Sequence, residues 1–101
     1  MKQYFHYEDT PYKPGYYIVK INHDTMPITG TLGSCNVLMA RIFNLSYAEF
    51  LRMCRDKFNA TIIGKGTIYG MPYFKPENLD DLKELVRLLN QRTDAILKSI
   101  E

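Results

Sequence analysis

The chain has 101 residues, almost half of them apolar, with thirteen Lys and Arg against eleven Asp and Glu. That suits one folded domain with a real core and excludes wholesale disorder. A net charge of +2 excludes a strongly polycationic or polyanionic chain, and no apolar run approaches the roughly 18 residues of a membrane span.

The start, "MKQYFHYEDT", has neither the apolar core nor the cleavage site of an export signal, so a cytoplasmic protein is expected, of a bacterial cell or a phage-infected host, with a virion as the other location. Cys35 and Cys54 sit in apolar stretches with no CxxC, as free thiols do in a reducing compartment. His6 and His23 lie near neither cysteine, so no zinc site is expected. Abundant Ile, Lys, Asn, Tyr and Phe with scarce Ala is the bias of AT-rich codons, common in bacteria and their phages.

Charge is unevenly spread. Residues 1–40 balance Lys2, Lys13 and Lys20 against Glu8, Asp9 and Asp24. Residues 41–75 set Arg41, Arg52, Arg55, Lys57, Lys65 and Lys75 against Glu49 and Asp56, and residues 76–101 are net acidic. A basic middle between neutral and acidic parts points to one face that meets an anion.

In chain order, residues 1–33 read as strand-rich. "GYYIVKIN" alternates Tyr17, Val19 and Ile21 with Tyr16, Ile18 and Lys20, a period of two. "YFHYE" adds a strand before the Pro11–Pro14 turn, and "TMPIT", after the turn residues 22–24, is expected to return as an edge strand because of Pro27. Gly30 and Gly33 then punctuate, and Ser34 is placed to cap a helix over residues 35–43.

Ser46-Tyr47-Ala48-Glu49 is a capping box, with Leu45 and Phe50 at the two positions of a hydrophobic staple. Phe50, Leu51, Cys54 and Phe58 recur as one helical stripe, and Asn59 suits a left-handed cap. Thr61-Ile62-Ile63, then Gly64-Lys65-Gly66, then Thr67-Ile68-Tyr69 predict a hairpin turning on the glycines. It is not a phosphate loop, which needs GxxxxGK[ST]. Lys75-Pro76-Glu77-Asn78 opens a last helix of more than twenty residues, acidic early and basic late as the helix dipole favours. Leu79, Leu82, Val86, Leu89, Thr93, Ile96 and Ile100 space by threes and fours along it, a heptad seam that predicts self-association through Leu82, Val86, Leu89 and Ile96. The expectation is a single α+β domain over 1–101: small N-terminal antiparallel strands over 1–33, two helices plus a hairpin over 34–75, and the long helix over 76–101.

Residues 35–75 resemble the helix-turn-helix with β-wing of excisionase and MerR-like DNA-binding domains. The likeness lies in residue types at spacings: Ala40 where two helices cross, Phe43 and Leu45 around the turn, Ser46 capping the second helix, Phe50 and Met53 facing the core, and "GKGTIYGMPYF" following like a wing. It departs at Asn44, where such turns usually carry glycine, and at Leu51 on the reading side. The resemblance implies that the helix starting at Ser46 enters the major groove of duplex DNA by its first turns. Tyr47, Ala48 and Arg52 would then face bases, Arg41, Arg55 and Lys57 the phosphates, and Lys65 in the wing the backbone or minor groove.

A nuclease is not expected. "GYYIV" and "IYG" resemble the two tripeptides of GIY-YIG nucleases, but their separation is several times the family's, and no catalytic trio gathers elsewhere. No cofactor or small-molecule pattern is present. The other reading is a non-enzymatic accessory, virion or assembly protein that forms homo-oligomers through its last helix; the general look of the chain, with "PYF" ahead of "LLNQR", is similar to small uncharacterised proteins of gut bacteriophages.

Overall fold

The structure, a computed structural model, describes residues 2–10, 14–22, 24–26, 35–63 and 73–100. Among the described residues four strands and three helices follow in the order β1 (Phe5–Asp9), β2 (Tyr17–Ile21), α1 (Cys35–Ile42), α2 (Tyr47–Phe58), β3 (Ala60–Ile63), β4 (Tyr73–Pro76) and α3 (Leu79–Ile100). The strands make one antiparallel sheet in the order β1-β2-β4-β3. This is the expected α+β class.

The period of two in β2 sorts its side chains as expected. Tyr17, Val19 and Ile21 join Phe5, Tyr7 and Phe74 on the face that the helices cover, and Phe5, Val19 and Phe74 are fully or almost fully buried there. The opposite face carries His6, Glu8 and Lys20, and also buries Ile18 and Tyr73. Lys20 and His6 hold the Glu8 carboxyl below its ordinary range, the lysine contributing more.

Two expectations about strand pairing are corrected. The neighbours of β2 are β1 and β4. Thr25 lies in a turn, its amide donating to the Asn22 carbonyl, and residues 27–29 of the expected "TMPIT" strand lie outside the described residues. At the hairpin, Ile63 pairs with Tyr73, so β3 is joined to its partner across residues 64–72 rather than by a Gly64-Lys65-Gly66 turn onto residues 67–69. The pairing of β4 with β2 and β3 places Tyr73 and Phe74 in the sheet, where both are buried. Pro76 is still strand, opposite Ala60, and no hydrogen bond to β3 is lost to it: the neighbouring Glu77 amide makes the bond to the Asn59 carbonyl.

The last helix therefore starts later than Lys75. Asn78 caps it, its side-chain oxygen accepting from the Asp80 amide at 3.0 Å. Helix α3 runs 22 residues and lays Leu82, Leu85, Val86 and Leu89 into the core with Met39, Ala40, Phe50 and Cys54. Burial pushes the Cys54 thiol up to about 12, which leaves it protonated and unreactive at neutral pH. No described helix is long and apolar enough to cross a membrane.

Three polar side chains are buried among the described residues, Thr10, Thr93 and Asn90, and Asn90 ties the last helix to the entry of the sheet. Asn90 is 3 % exposed. Its oxygen accepts from the amides of Tyr4 at 2.8 Å and Phe5 at 2.7 Å, and its nitrogen donates to the Gln3 side chain at 2.9 Å and the Phe5 carbonyl at 3.2 Å. All four hydrogen-bonding positions of the amide are filled. Tyr4 adds a second tie to the helix, its hydroxyl donating to Asp94. Lys98 first, and then Tyr4, hold the Asp94 carboxyl below its ordinary range.

Replacing Asn90 with Ala takes the side-chain partner from two backbone amides and a carbonyl at the entry to β1. Urea denaturation of Asn90→Ala should show a loss of roughly 2–4 kcal/mol at unchanged slope. A loss below about 0.5 kcal/mol, the size of an ordinary surface substitution, would mean that the strand-to-helix tie is dispensable.

Candidate nucleic-acid interface

The corner between α1 and α2 is made by two caps placed back to back. The Leu45 amide donates to the Ala40 carbonyl and the Asn44 amide to the Arg41 carbonyl, both at 2.9 Å, and Asn44 takes φ +57°. That pair of bonds with a left-handed residue between them is the Schellman arrangement that ends a helix. Asn stands here for the usual glycine because its short polar side chain tolerates the left-handed region. Two residues later the capping box opens α2. The Ser46 hydroxyl accepts from the Glu49 amide at 3.2 Å, and the Glu49 carboxylate accepts from the Ser46 amide at 3.1 Å. The Ser46 backbone bond first, then its side chain, hold the Glu49 carboxyl below its ordinary range. No residue between the caps is free to choose another path.

Helix α3 holds the corner from behind. The Arg92 guanidinium donates to the Ile42 carbonyl, an otherwise unpaired end of α1, at 3.0 Å. It also lies 5.2 Å from the centre of the Phe43 ring, which stacks in turn on Phe50 at 6.0 Å. The sequence places Arg92 only as a favourable charge late in the helix. Nothing in its spacing discloses a partner fifty residues away.

Every described candidate contact residue is exposed: Arg41, Ser46, Tyr47, Ala48, Arg52, Arg55 and Lys57. Tyr47 keeps 39 % of its surface, which is large for an aromatic. The candidates do not form one patch. Ala48, Arg52 and Arg55, at i, i+4 and i+7, make one strip with Leu51, and this strip with Ala60 and Thr61 of β3 walls an open groove of about 460 Å³. Lys57 lies on the other flank of the helix, roughly 140° round from Arg52 at 3.6 residues per turn. Arg41 belongs to α1, and Lys65 lies outside the described residues.

Two arginines three apart on a helix repel by a few tenths of a kcal/mol, so the strip costs the fold rather than helping it. Arg55 reaches Asp56 at 3.3 Å, an exposed pair of little worth. Arg52 makes no hydrogen bond or ion pair among the described residues, although its charge helps to lower Glu49. Because Glu49 already occupies the start of α2, an approaching phosphate meets a carboxylate at the helix end and guanidinium groups along the strip.

The residues expected to drive self-association lie elsewhere. Leu82, Val86 and Leu89 are buried in the chain's own core, against the sheet and the other helices, while Ile96 is 41 % exposed. Spacing of three and four on a helix marks an apolar face without saying what covers it; here the covering surface is the same chain. Leu85, outside that seam, is equally buried. Among the described residues no group of three or more His, Cys, Asp or Glu is placed to hold a metal ion. No family model, no curated protein and no solved structure matches this chain.

The caps carry a measurable part of the corner's stability. Ser46→Ala should cost about 1 kcal/mol, read as a lower melting temperature. The Glu49 part is pH-dependent: with its folded pKa depressed, its contribution is present above the ordinary carboxylate pKa and is lost as pH falls through the folded value. Glu49→Gln should therefore be less stable than the parent at pH 7 and match it near pH 2. An equal gap at both pH values would remove the carboxylate from the cap.

Proposed function

We propose that this chain is a small, non-enzymatic DNA-binding protein that contacts duplex DNA with α2. The observation that carries this reading is the Ala48–Arg52–Arg55 strip on a doubly capped helix, turned to solvent rather than packed on the chain's own strands. A helix laid in the major groove needs an exposed strip in its first turns that combines a small apolar contact with a forked donor. Ala48 meets a thymine methyl, and Arg52 grips the two acceptors of guanine. Arg55 on the same strip, Arg41 on α1 and Lys57 on the far flank are then phosphate contacts that set orientation rather than sequence. Lys65 joins them as a backbone or minor-groove contact.

The rigidity of the corner supports the same reading. A recognition helix must keep its angle while half of its surface is against a charged polymer, and α2 is held by caps at Asn44 and Ser46 and by Arg92 behind.

Anisotropy titrations of labelled duplex DNA at a series of salt concentrations test the proposal. Binding should weaken with salt at a log–log slope of about −0.9 per phosphate neutralised. Arg52→Ala should cost roughly 1–3 kcal/mol and relax preference at one base position, whereas Lys65→Ala should weaken all sequences alike. No binding of any duplex at low salt and micromolar protein would overturn the reading.

A further inference from the structure

The other edge of the sheet has a groove of its own. At the two ends of β1 the Tyr4 carbonyl accepts from the Asn22 amide and the Thr10 amide donates to the Tyr16 carbonyl, so within the strand the backbone groups of His6 and Glu8 face β2. Antiparallel pairing alternates, so the N–H and C=O of Phe5, Tyr7 and Asp9 face away from it. At Phe5 those groups are met by the Asn90 amide, which stands where the peptide group of a fifth strand would stand. At Tyr7 and Asp9 they have no hydrogen-bond partner among the described residues.

Beside this edge is an open groove of about 240 Å³, lined by Gln3, Tyr7, Lys83, Val86, Arg87 and Asn90. Lys83, Val86, Arg87 and Asn90 are one strip of α3. Two cations and no carboxylate line the groove; Asp80 and Glu84, which pair with Lys83 and Arg87, are outside the lining. Strand β1 contains neither of the residues, Pro and Lys, that most often blunt an edge.

We propose that this groove takes an extended acidic peptide segment, which adds to β1 through the backbone of Tyr7 and Asp9 and sets carboxylates against Lys83 and Arg87. Main-chain bonds to the edge supply affinity, and alternate side chains supply selection. A second copy of this chain fits less well. With Phe5 occupied by Asn90, a twofold pairing of β1 with itself couples Tyr7 to Asp9 and sets the two Glu8 side chains face to face, and like charges directly opposite are destabilising. The site is on the opposite edge of the sheet from the groove along α2 and stands or falls separately from DNA binding.

A blocked alternating Glu-Val peptide, with its Lys-Val counterpart as control, titrated into isotope-labelled full-length protein tests the proposal. The acidic peptide should bind saturably, slow amide exchange at Tyr7 and Asp9, and weaken with salt. Asp9→Pro removes one edge-facing N–H and no bond to β2, and should lower affinity about tenfold, as loss of a hydrogen bond implies. Lys83→Glu, an exposed change that leaves the strand untouched, should lower it by a similar factor and decides the matter if the proline variant does not fold. Equal binding of both peptides, protection elsewhere, or no binding at millimolar peptide would overturn the proposal. So would protection of Tyr7 and Asp9 in a dimer without peptide, which would make the occupant a second copy.

Discussion

The buried amide of Asn90 is the constraint on which the arrangement of this chain depends. It sits among leucines in the last helix and closes four hydrogen bonds onto Gln3, Tyr4 and Phe5 at the entry to the first strand, across nearly the whole length of the sequence. An amide buried without partners costs several kcal/mol, so the helix has few other stable seats. A slide of one turn along the sheet would empty all four positions at once. Hydrophobic burial by Leu82, Leu85, Val86 and Leu89 supplies the larger driving force, but it is not directional and would tolerate such a slide. The polar contact selects the register and the apolar contacts stabilise it.

With α3 fixed on the sheet, the corner between α1 and α2 is fixed as well. Arg92 is less than one turn beyond Asn90, and it carries the tie from the sheet to the Ile42 carbonyl and the Phe43 ring. The corner is locally determined by its two caps, while its position over the core is set by Phe43, Phe50 and Arg92. The outer strip of α2 is thereby presented at a set angle without taking part in folding. Surfaces that cost the fold a little and help it nowhere are where function is expected, and the Arg52–Arg55 strip meets that description.

The two grooves lie along the two edges of the sheet, each walled by a different helix. One is walled by arginines of α2 beside β3, the other by Lys83 and Arg87 of α3 beside β1. Neither cation pair is visible in the net charge of +2, which sums the whole chain. Sequence segments average charge along the chain, whereas the fold redistributes it by face.

What the sequence determined by itself is local. The capping box at Ser46, the left-handed Asn44 and Asn59, the alternation of β2 and the length of α3 rest on backbone rules that act within a few residues, and the structure follows them. The exposure of Tyr47, Ala48 and Arg52 also follows locally, since Phe50, Cys54 and Phe58 fix which side of α2 turns inward. What only the tertiary structure decided is pairing. Tyr73–Pro76 is a strand because Phe74 is buried between β2 and β3, despite a proline that reads as the opening of a helix. The seam of α3 packs on its own sheet because that sheet offers a matching apolar face at no cost in translational freedom, a choice that spacing cannot record. Asn90 and Arg92 acquire their roles from partners 85 and 50 positions away. Contacts of that span depend on the whole chain having folded, so no local pattern encodes them.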